Sequence, residues 1–194
     1  MSGRRFTILS CSLRTDSRSQ QLAREAARLV EAAGDVATLI DLRDVALPAF
    51  DEDRCFSHPA YPALHRGIAE ADGVIIAAPV YNWGLGGATR AVIELTGATS
   101  EAGLGPAWFD KVVTFLCAGG LPHSYMAYGA TAMSLMLDFK CVVNPYLVYA
   151  TERDWSQEGE PNAQLAARLQ SALTIKLELA DRLLDRTYQS EWEV

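Results

Sequence analysis

Short apolar segments alternate with amphipathic helical patterns along this sequence, and this alternation restricts the fold more than any other feature. Continuous apolar runs predict strands that are buried on both faces, at Phe6–Ser10, Val36–Asp41, Gly73–Ala78, Lys111–Cys117 and Cys141–Tyr149. Helical spacing predicts helices at Ser17–Ala33, Tyr61–Ala71, Gly87–Gly97 and Ser124–Phe139, and a C-terminal helix over 161–186. Because strands that alternate with helices form parallel sheets, we expect a three-layer α/β/α sandwich with a five-stranded parallel sheet, as a single domain over residues 1–194.

Charge and composition exclude several classes of protein. The formal net charge of -7 argues against a nucleic-acid or anionic-membrane surface, since both need clustered Lys and Arg. The apolar run Phe6–Leu9 is too short for a signal peptide or a membrane span, so we expect a cytoplasmic protein. The 4 cysteines occur singly, without a CxxC pair or a closely spaced histidine. This favours buried free thiols over a metal site, and we expect no bound metal.

The loop after the first strand carries hydroxyl groups and an arginine immediately before a helix. Ligands of parallel sheets bind at the carboxyl ends of the strands, and a helix N-terminus attracts anions. The residues suited to a phosphate group here are Ser12, Arg14, Ser17 and Ser19. Alternatively, Asp16, Ser17 or Ser19 only caps the helix and Arg14 is a solvated charge. The loop has no glycine, which excludes the Walker and dinucleotide motifs, so Asp41 is interpreted as a polar strand end.

The loop after the third strand contains two large aromatic residues among glycines, which is unusual because loops are mostly polar. Tyr81 and Trp83 suit a flat, partly apolar ligand, with Asn82 bonding to its polar edge. The alternative is that both aromatic side chains pack on a neighbouring subunit.

The loop after the fourth strand contains paired glycines, which allow the backbone to approach a ligand closely. These are Gly119 and Gly120. His123 follows them without an identifiable partner, and we interpret it as a surface residue rather than a general base.

Together, these three loops resemble the NADPH-dependent FMN reductase family of the flavodoxin-like superfamily, which includes quinone, azo-dye and chromate reductases. Residues 11–23 read CSLRTDSRSQQLA, close to the family's GSLRxxSxNxxLA, with Cys11 replacing glycine and Ser19 replacing asparagine. Residues 79–94 resemble the YNWG variant of its second motif, PEYNxxxPGALKNAID, with Val80 replacing the acid and Gly86 the proline. The third loop resembles the family's glycine turn beside the isoalloxazine ring.

The resemblance implies FMN as the cofactor and NADPH or NADH as the electron donor. It assigns the phosphate to Ser12, Arg14, Ser17 and Ser19, and the flavin to Pro79, Tyr81, Asn82, Trp83, Gly119, Gly120 and Ser124. No catalytic acid or base is expected, because the flavin carries the redox chemistry. We expect a two-step cycle in which NAD(P)H reduces FMN and leaves before a small acceptor takes the electrons at the same face. Such acceptors are free flavin, a quinone, an azo compound or a metal oxyanion, and the protein is expected to be a homodimer or homotetramer.

Two other functions are compatible with this fold. A flavodoxin-type electron carrier acting on protein partners would suit the acidic charge, but the first loop lacks the Thr/Ser-x-Thr-Gly-x-Thr character of flavodoxin phosphate sites. A hydrolase using Ser12 would need a GxSxG elbow and matching His and Asp residues, which the sequence does not show. Residue identities specify neither the acceptor nor the choice between NADPH and NADH.

Overall fold

The computed structural model describes residues 3–99 and 103–192, with a central sheet between two layers of helices. The strands are β1 (Arg5–Ser10), β2 (Val36–Asp41), β3 (Gly73–Tyr81), β4 (Gly84–Leu85), β5 (Val112–Ala118), β6 (Val142–Val143) and β7 (Val148–Ala150). The α-helices are α1 (Arg18–Ala32), α2 (Tyr61–Ala69), α3 (Gly87–Gly97), α4 (Gly129–Phe139) and α5 (Ala163–Leu184). The order β2-β1-β3-β5-β6 is parallel throughout, with β7 also paired to β5 and β4 antiparallel to β3. This is the flavodoxin-like order, which confirms the predicted fold class.

The predicted fifth strand is divided into two short segments, β6 and β7. Pro145 lies between them, and because proline has no backbone N–H it cannot donate to the ladder. The Asn144 side chain occupies the gap and donates to the Thr114 hydroxyl at 3.1 Å and to the Ala172 carbonyl at 2.9 Å. This division and the added antiparallel strand β4 give the sheet 7 strands rather than five, although the parallel strands still occupy five positions.

Each face of the sheet is covered by its own group of helices. Helices α1 and α5 pack on one face, and α2, α3 and α4 pack on the other. Successive residues of a strand point to opposite faces, so Ile75 belongs to the first layer and Ile76 to the second. The four cysteines are free and buried, as predicted.

Two predicted boundaries differ near the carboxyl edge of the sheet. Strand β3 continues past Ala78 to Tyr81 because β4 pairs with it as a short hairpin. The helix predicted from Ser124 begins at Gly129, after a 3-10 turn at Pro122–Ser124 and further i→i−3 backbone bonds. Within residues 3–99 and 103–192, the structure contains no helix both long and apolar enough to cross a membrane.

Candidate functional site

A cleft of about 500 Å³ opens at the carboxyl edge of the sheet, beside the neighbouring strands β1 and β3. The chain order reverses between these two strands, which is where ligands bind in open α/β sheets. The predicted site residues that line the cleft are Arg14, Ser17, Pro79, Tyr81, Gly119 and Gly120. Its volume lies within the range of small-molecule sites, so the three predicted loops converge on a space that can hold a ligand.

The N-terminus of α1 lies at one end of this cleft, and no side chain caps it with a hydrogen bond. Ser17 is the N-cap residue by its extended backbone, φ -78 and ψ 135, yet its side chain makes no capping hydrogen bond. Its hydroxyl instead pairs with the Ser19 hydroxyl at 2.8 Å. The N–H groups of the first turn are therefore not satisfied by the Ser17 side chain and can donate to an anion.

The two other predicted phosphate ligands lie behind the surface of the cleft. Ser12 is 1% exposed, and its hydroxyl oxygen accepts the Arg14 backbone N–H at 3.2 Å. Ser19 is fully buried in the first turn of α1. Ser12 thus shapes the loop that carries Arg14, while Ser19 orients the Ser17 hydroxyl.

Residues Asn82 and Trp83 form the two-residue turn between β3 and β4. Both have left-handed backbones, with φ 48 and φ 62, and the strands pair at Tyr81 and Gly84 on either side. Positive φ at both central residues is typical of a type I′ hairpin turn, but it is costly for a tryptophan. The turn leaves Trp83 61% exposed, with its ring centre 5.4 Å from that of His123. Tyr81 lines the cleft, whereas Asn82 and Trp83 lie on the adjoining turn.

The paired glycines after β5 differ in their surroundings. A Cβ atom on Gly119 would collide with the Tyr149 hydroxyl, whereas a Cβ on Gly120 would meet nothing within 4 Å. Ser124 is buried in the 3-10 turn that follows, and His123 is exposed beside Trp83. The Tyr149 side chain therefore leaves room only for glycine at position 119, whereas the space beside Gly120 is open.

The structure adds a fourth wall that the sequence analysis missed. Thr151 and Glu152 follow β7 and line the cleft together with Arg18 of α1. The Arg18 guanidinium lies 3.3 Å from a Glu152 carboxylate oxygen and 4.7 Å from the Trp155 ring centre. The chain order could have predicted this wall. The carboxyl end of a fifth parallel strand must reach the same edge of the sheet as the other strands, so the residues that follow it lie beside the cleft.

Asp41 occupies a structural position, as interpreted from the sequence. Its carboxylate accepts from the Gln20 amide at 2.6 Å and from the Arg43 guanidinium at 2.7 Å. Burial alone would raise the pKa of Asp41, but the hydrogen bonds from Arg43 and Gln20 outweigh it and hold the pKa below the ordinary value. The carboxylate is thus occupied by its own neighbours.

The donors and the shape of the cleft fit a flavin mononucleotide. The uncapped first turn of α1, the Ser17 hydroxyl and Arg14 supply hydrogen-bond donors for a phosphate. Pro79, Tyr81 and the open side of Gly120 supply a partly apolar wall for a planar ring. Together, this fold and this cleft define a flavodoxin-like protein with a nucleotide-sized site.

The sequence model of the NADPH-dependent FMN reductase family matches residues 4–155. This is most of the chain, so the protein belongs to that family. Family membership makes it an NAD(P)H-dependent flavin oxidoreductase with FMN as its cofactor. A search of curated proteins found no significant match.

Solved structures with the same fold are distantly related in sequence. FerB, a flavoenzyme NAD(P)H:(acceptor) oxidoreductase from Paracoccus denitrificans, is 18% identical, with a TM-score of 0.74 over 92% of this chain and 98% of its own. The NADH:FMN oxidoreductase EMOB, in its apo form, is 19% identical, with a TM-score of 0.71 over 90% and 89% of the two chains. RosB, with a bound 8-demethyl-8-formylriboflavin-5'-phosphate intermediate, is 20% identical, with a TM-score of 0.76 over 96% and 82%. At these identities the likeness shows the fold.

Proposed function

We propose that the protein transfers reducing equivalents from NAD(P)H, through FMN held in the cleft, to a small acceptor. The acceptor classes are free flavin, a quinone, an azo compound or a metal oxyanion, and the donor and acceptor use the same opening in turn. The observation that carries this proposal is the N-terminus of α1, without a side-chain cap, at one end of a cleft that Tyr81 and the paired glycines also line. When bound, FMN supplies hydride uptake from the nicotinamide and electron delivery to the acceptor.

The residues around the cleft have distinct roles in this proposal. Arg14, Ser17 and the first-turn N–H groups of α1 bind the phosphate, because the helix dipole and the donors act on the same anion. Ser12 and Ser19 hold these donors in place from behind. The protein needs no proton-transfer group for hydride transfer, so binding and orientation are its main contributions.

The side chains beside the cleft favour a planar organic acceptor. Tyr81, Trp83, Leu121 and Tyr125 are large apolar or aromatic residues that are more than half exposed. Such groups stack on flat rings more readily than they bind a hydrated ion. We therefore place quinones and free flavin before metal oxyanions among the acceptor classes.

The phosphate assignment is tested with two ligands that differ only in the phosphate. Arg14→Ala is expected to weaken FMN binding about 10-fold, because one charge-assisted hydrogen-bond partner is lost. Riboflavin affinity should be unchanged in the same variant. Arg24→Ala, which removes an exposed arginine from α1 outside the cleft, is the charge-matched control. Equal effects on FMN and riboflavin, measured by fluorescence titration, would refute the phosphate assignment.

The reaction is tested by steady-state kinetics with the FMN-loaded protein. Purified protein should oxidise NADPH or NADH when a quinone or free flavin is present, with parallel lines in double-reciprocal plots. Intersecting lines would contradict the two-step cycle. Failure to oxidise either coenzyme with quinone, free flavin or ferricyanide, while FMN stays bound, would favour an electron carrier that acts on protein partners.

We further propose that a second copy of the chain covers the outer face of α4. Met133 and Leu137 are one helical turn apart and are 61% and 66% exposed, and Met136 is exposed beside them. An exposed apolar strip of this kind suits an isologous contact, in which the same strip meets itself across a two-fold axis. Met126, in the segment between the paired glycines and α4, is also exposed, so we expect the second copy to approach this side of the cleft.

Light scattering after size-exclusion chromatography tests this contact. The double variant Met133→Lys with Leu137→Lys is expected to be monomeric, because four buried charges would repel each other across the two-fold axis. Gln170→Lys adds a charge to an exposed position of α5 and should leave the oligomer intact. A wild-type monomer would refute the proposed assembly.

A further inference from the structure

One side chain supports the segment that follows β5, here called the glycine loop (residues 119–124). Tyr149 of β7 lies beside Cys117 of β5, and its hydroxyl donates to the Leu121 carbonyl at 2.6 Å. The same hydroxyl occupies the position that a side chain on Gly119 would need. Tyr149 therefore contacts the glycine loop at its first residue and at its centre.

The groups around the Tyr149 hydroxyl indicate that it holds the glycine loop in one position. Ser124, at the end of the glycine loop, is buried, and its side chain acts to lower the pKa of Tyr149. Burial raises the pKa of Tyr149, so the hydroxyl keeps its proton and can donate at physiological pH. The Gly119 N–H is held separately by the Ala150 carbonyl at 2.9 Å.

We infer that Tyr149 is a positioning residue that holds the glycine loop in the conformation required for flavin binding. With the Leu121 carbonyl occupied by Tyr149, Gly120 remains the part of the glycine loop that lines the cleft and has open space beside it. This inference rests on the proposed function, since it assumes that FMN occupies the cleft.

The inference makes Gly119 and Tyr149 a coupled pair. In Gly119→Ala, the new methyl group meets the Tyr149 hydroxyl and one of the two must move. Removal of the hydroxyl in Tyr149→Phe relieves the closest contact, because the remaining ring carbon lies 3.0 Å from the added Cβ. The double variant should therefore bind FMN better than Gly119→Ala alone. If the two substitutions acted independently, their losses of affinity would add and the double variant would bind FMN worse.

Four variants of the full chain test the inference by FMN titration, by the reduction potential of the bound flavin and by the Tm of the flavin-free protein. Tyr149→Phe should weaken FMN binding about 5-fold, as expected for one lost hydrogen bond, and should shift the potential. Gly119→Ala should weaken binding further, with partial recovery in the double variant. Tyr146→Phe, which alters a neighbouring exposed tyrosine, should match the wild type in all three measurements.

The possible failures can be told apart. If wild-type protein binds no FMN, the proposed function itself is wrong. If the wild type binds FMN but Tyr149→Phe changes only the Tm, leaving affinity and potential unaltered, Tyr149 has a purely structural role and the inference is overturned. Lack of recovery in the double variant would also overturn it.

Discussion

A buried lysine makes the stability of this protein depend on pH in a specific direction. Lys176 of α5 is fully buried, and within the described part of the chain no carboxylate pairs with it. Its Nζ donates to the Val74 carbonyl at 3.0 Å and to the Val112 carbonyl at 2.7 Å, and lies 5.3 Å from the centre of the Phe6 ring. Burial lowers the pKa of Lys176 from 10.5 to about 7, although a Cys141 thiolate would raise it.

The lowered pKa of Lys176 sets both the size and the sign of the change in stability with pH. The full lowering of the pKa corresponds to about 5 kcal/mol, at about 1.36 kcal/mol per pKa unit. This is an upper bound, because the two carbonyls and the ring favour the charged amine. Between the folded and unfolded pKa values the unfolded chain binds more protons, so the contribution of Lys176 to stability increases as pH rises from about 7 to 10.5. With these two pKa values the gain between roughly pH 6 and pH 9.5 is at most about 3 kcal/mol.

The comparison with Lys176→Met isolates this contribution. Urea unfolding at several pH values gives the free energy of unfolding for both proteins. The loss of two hydrogen bonds in the variant adds a constant offset. Cys11, Cys117 and Cys141, whose pKa burial raises to about 12, stay protonated in both folded proteins over this pH range, so their contribution cancels. The free energy of unfolding of the wild type minus that of Lys176→Met should therefore increase as pH rises above about 7. Below about pH 7 it should be constant, because the amine is protonated in both the folded and the unfolded state. A difference independent of pH would refute the reasoning.

Other parts of the molecule give three simpler predictions. Asn162→Ala removes the side-chain acceptor of the Leu165 N–H at the start of α5, and should lower the free energy of urea unfolding by about 1 kcal/mol. Trp108→Phe leaves the Thr96 hydroxyl without its indole donor and opens space in the core, so a loss of about 2 kcal/mol should appear as a lower Tm. An unchanged Tm would contradict this. Ellman's reagent at about pH 8 should label none of the four cysteines in the folded protein and all of them in denaturant, because burial raises the pKa of three of them to about 12.

Local patterns in the sequence were sufficient to predict the layers of the fold and the loops of the cleft. Strand β2 and helix α3 have the predicted bounds, because apolar runs and helical spacing are properties of neighbouring residues. The positions of Arg14 and Ser17 beside the cleft were predictable for the same reason, since both residues lie in the short loop between a strand and the next helix. The family resemblance of these loops is confirmed by the match over residues 4–155.

Only the tertiary structure determines which distant residues meet. Glu152 reaches Arg18 across the cleft because β7 ends beside β5 at the same edge of the sheet. The collision that excludes a side chain at Gly119 arises from Tyr149, which periodicity and loop composition do not bring next to it. Similarly, Lys176 lies in an amphipathic helix but is buried because α5 packs across the strand carbonyls of Val74 and Val112. Composition and spacing record the preferences of short segments, whereas these contacts depend on strand order, register and packing across the whole sheet.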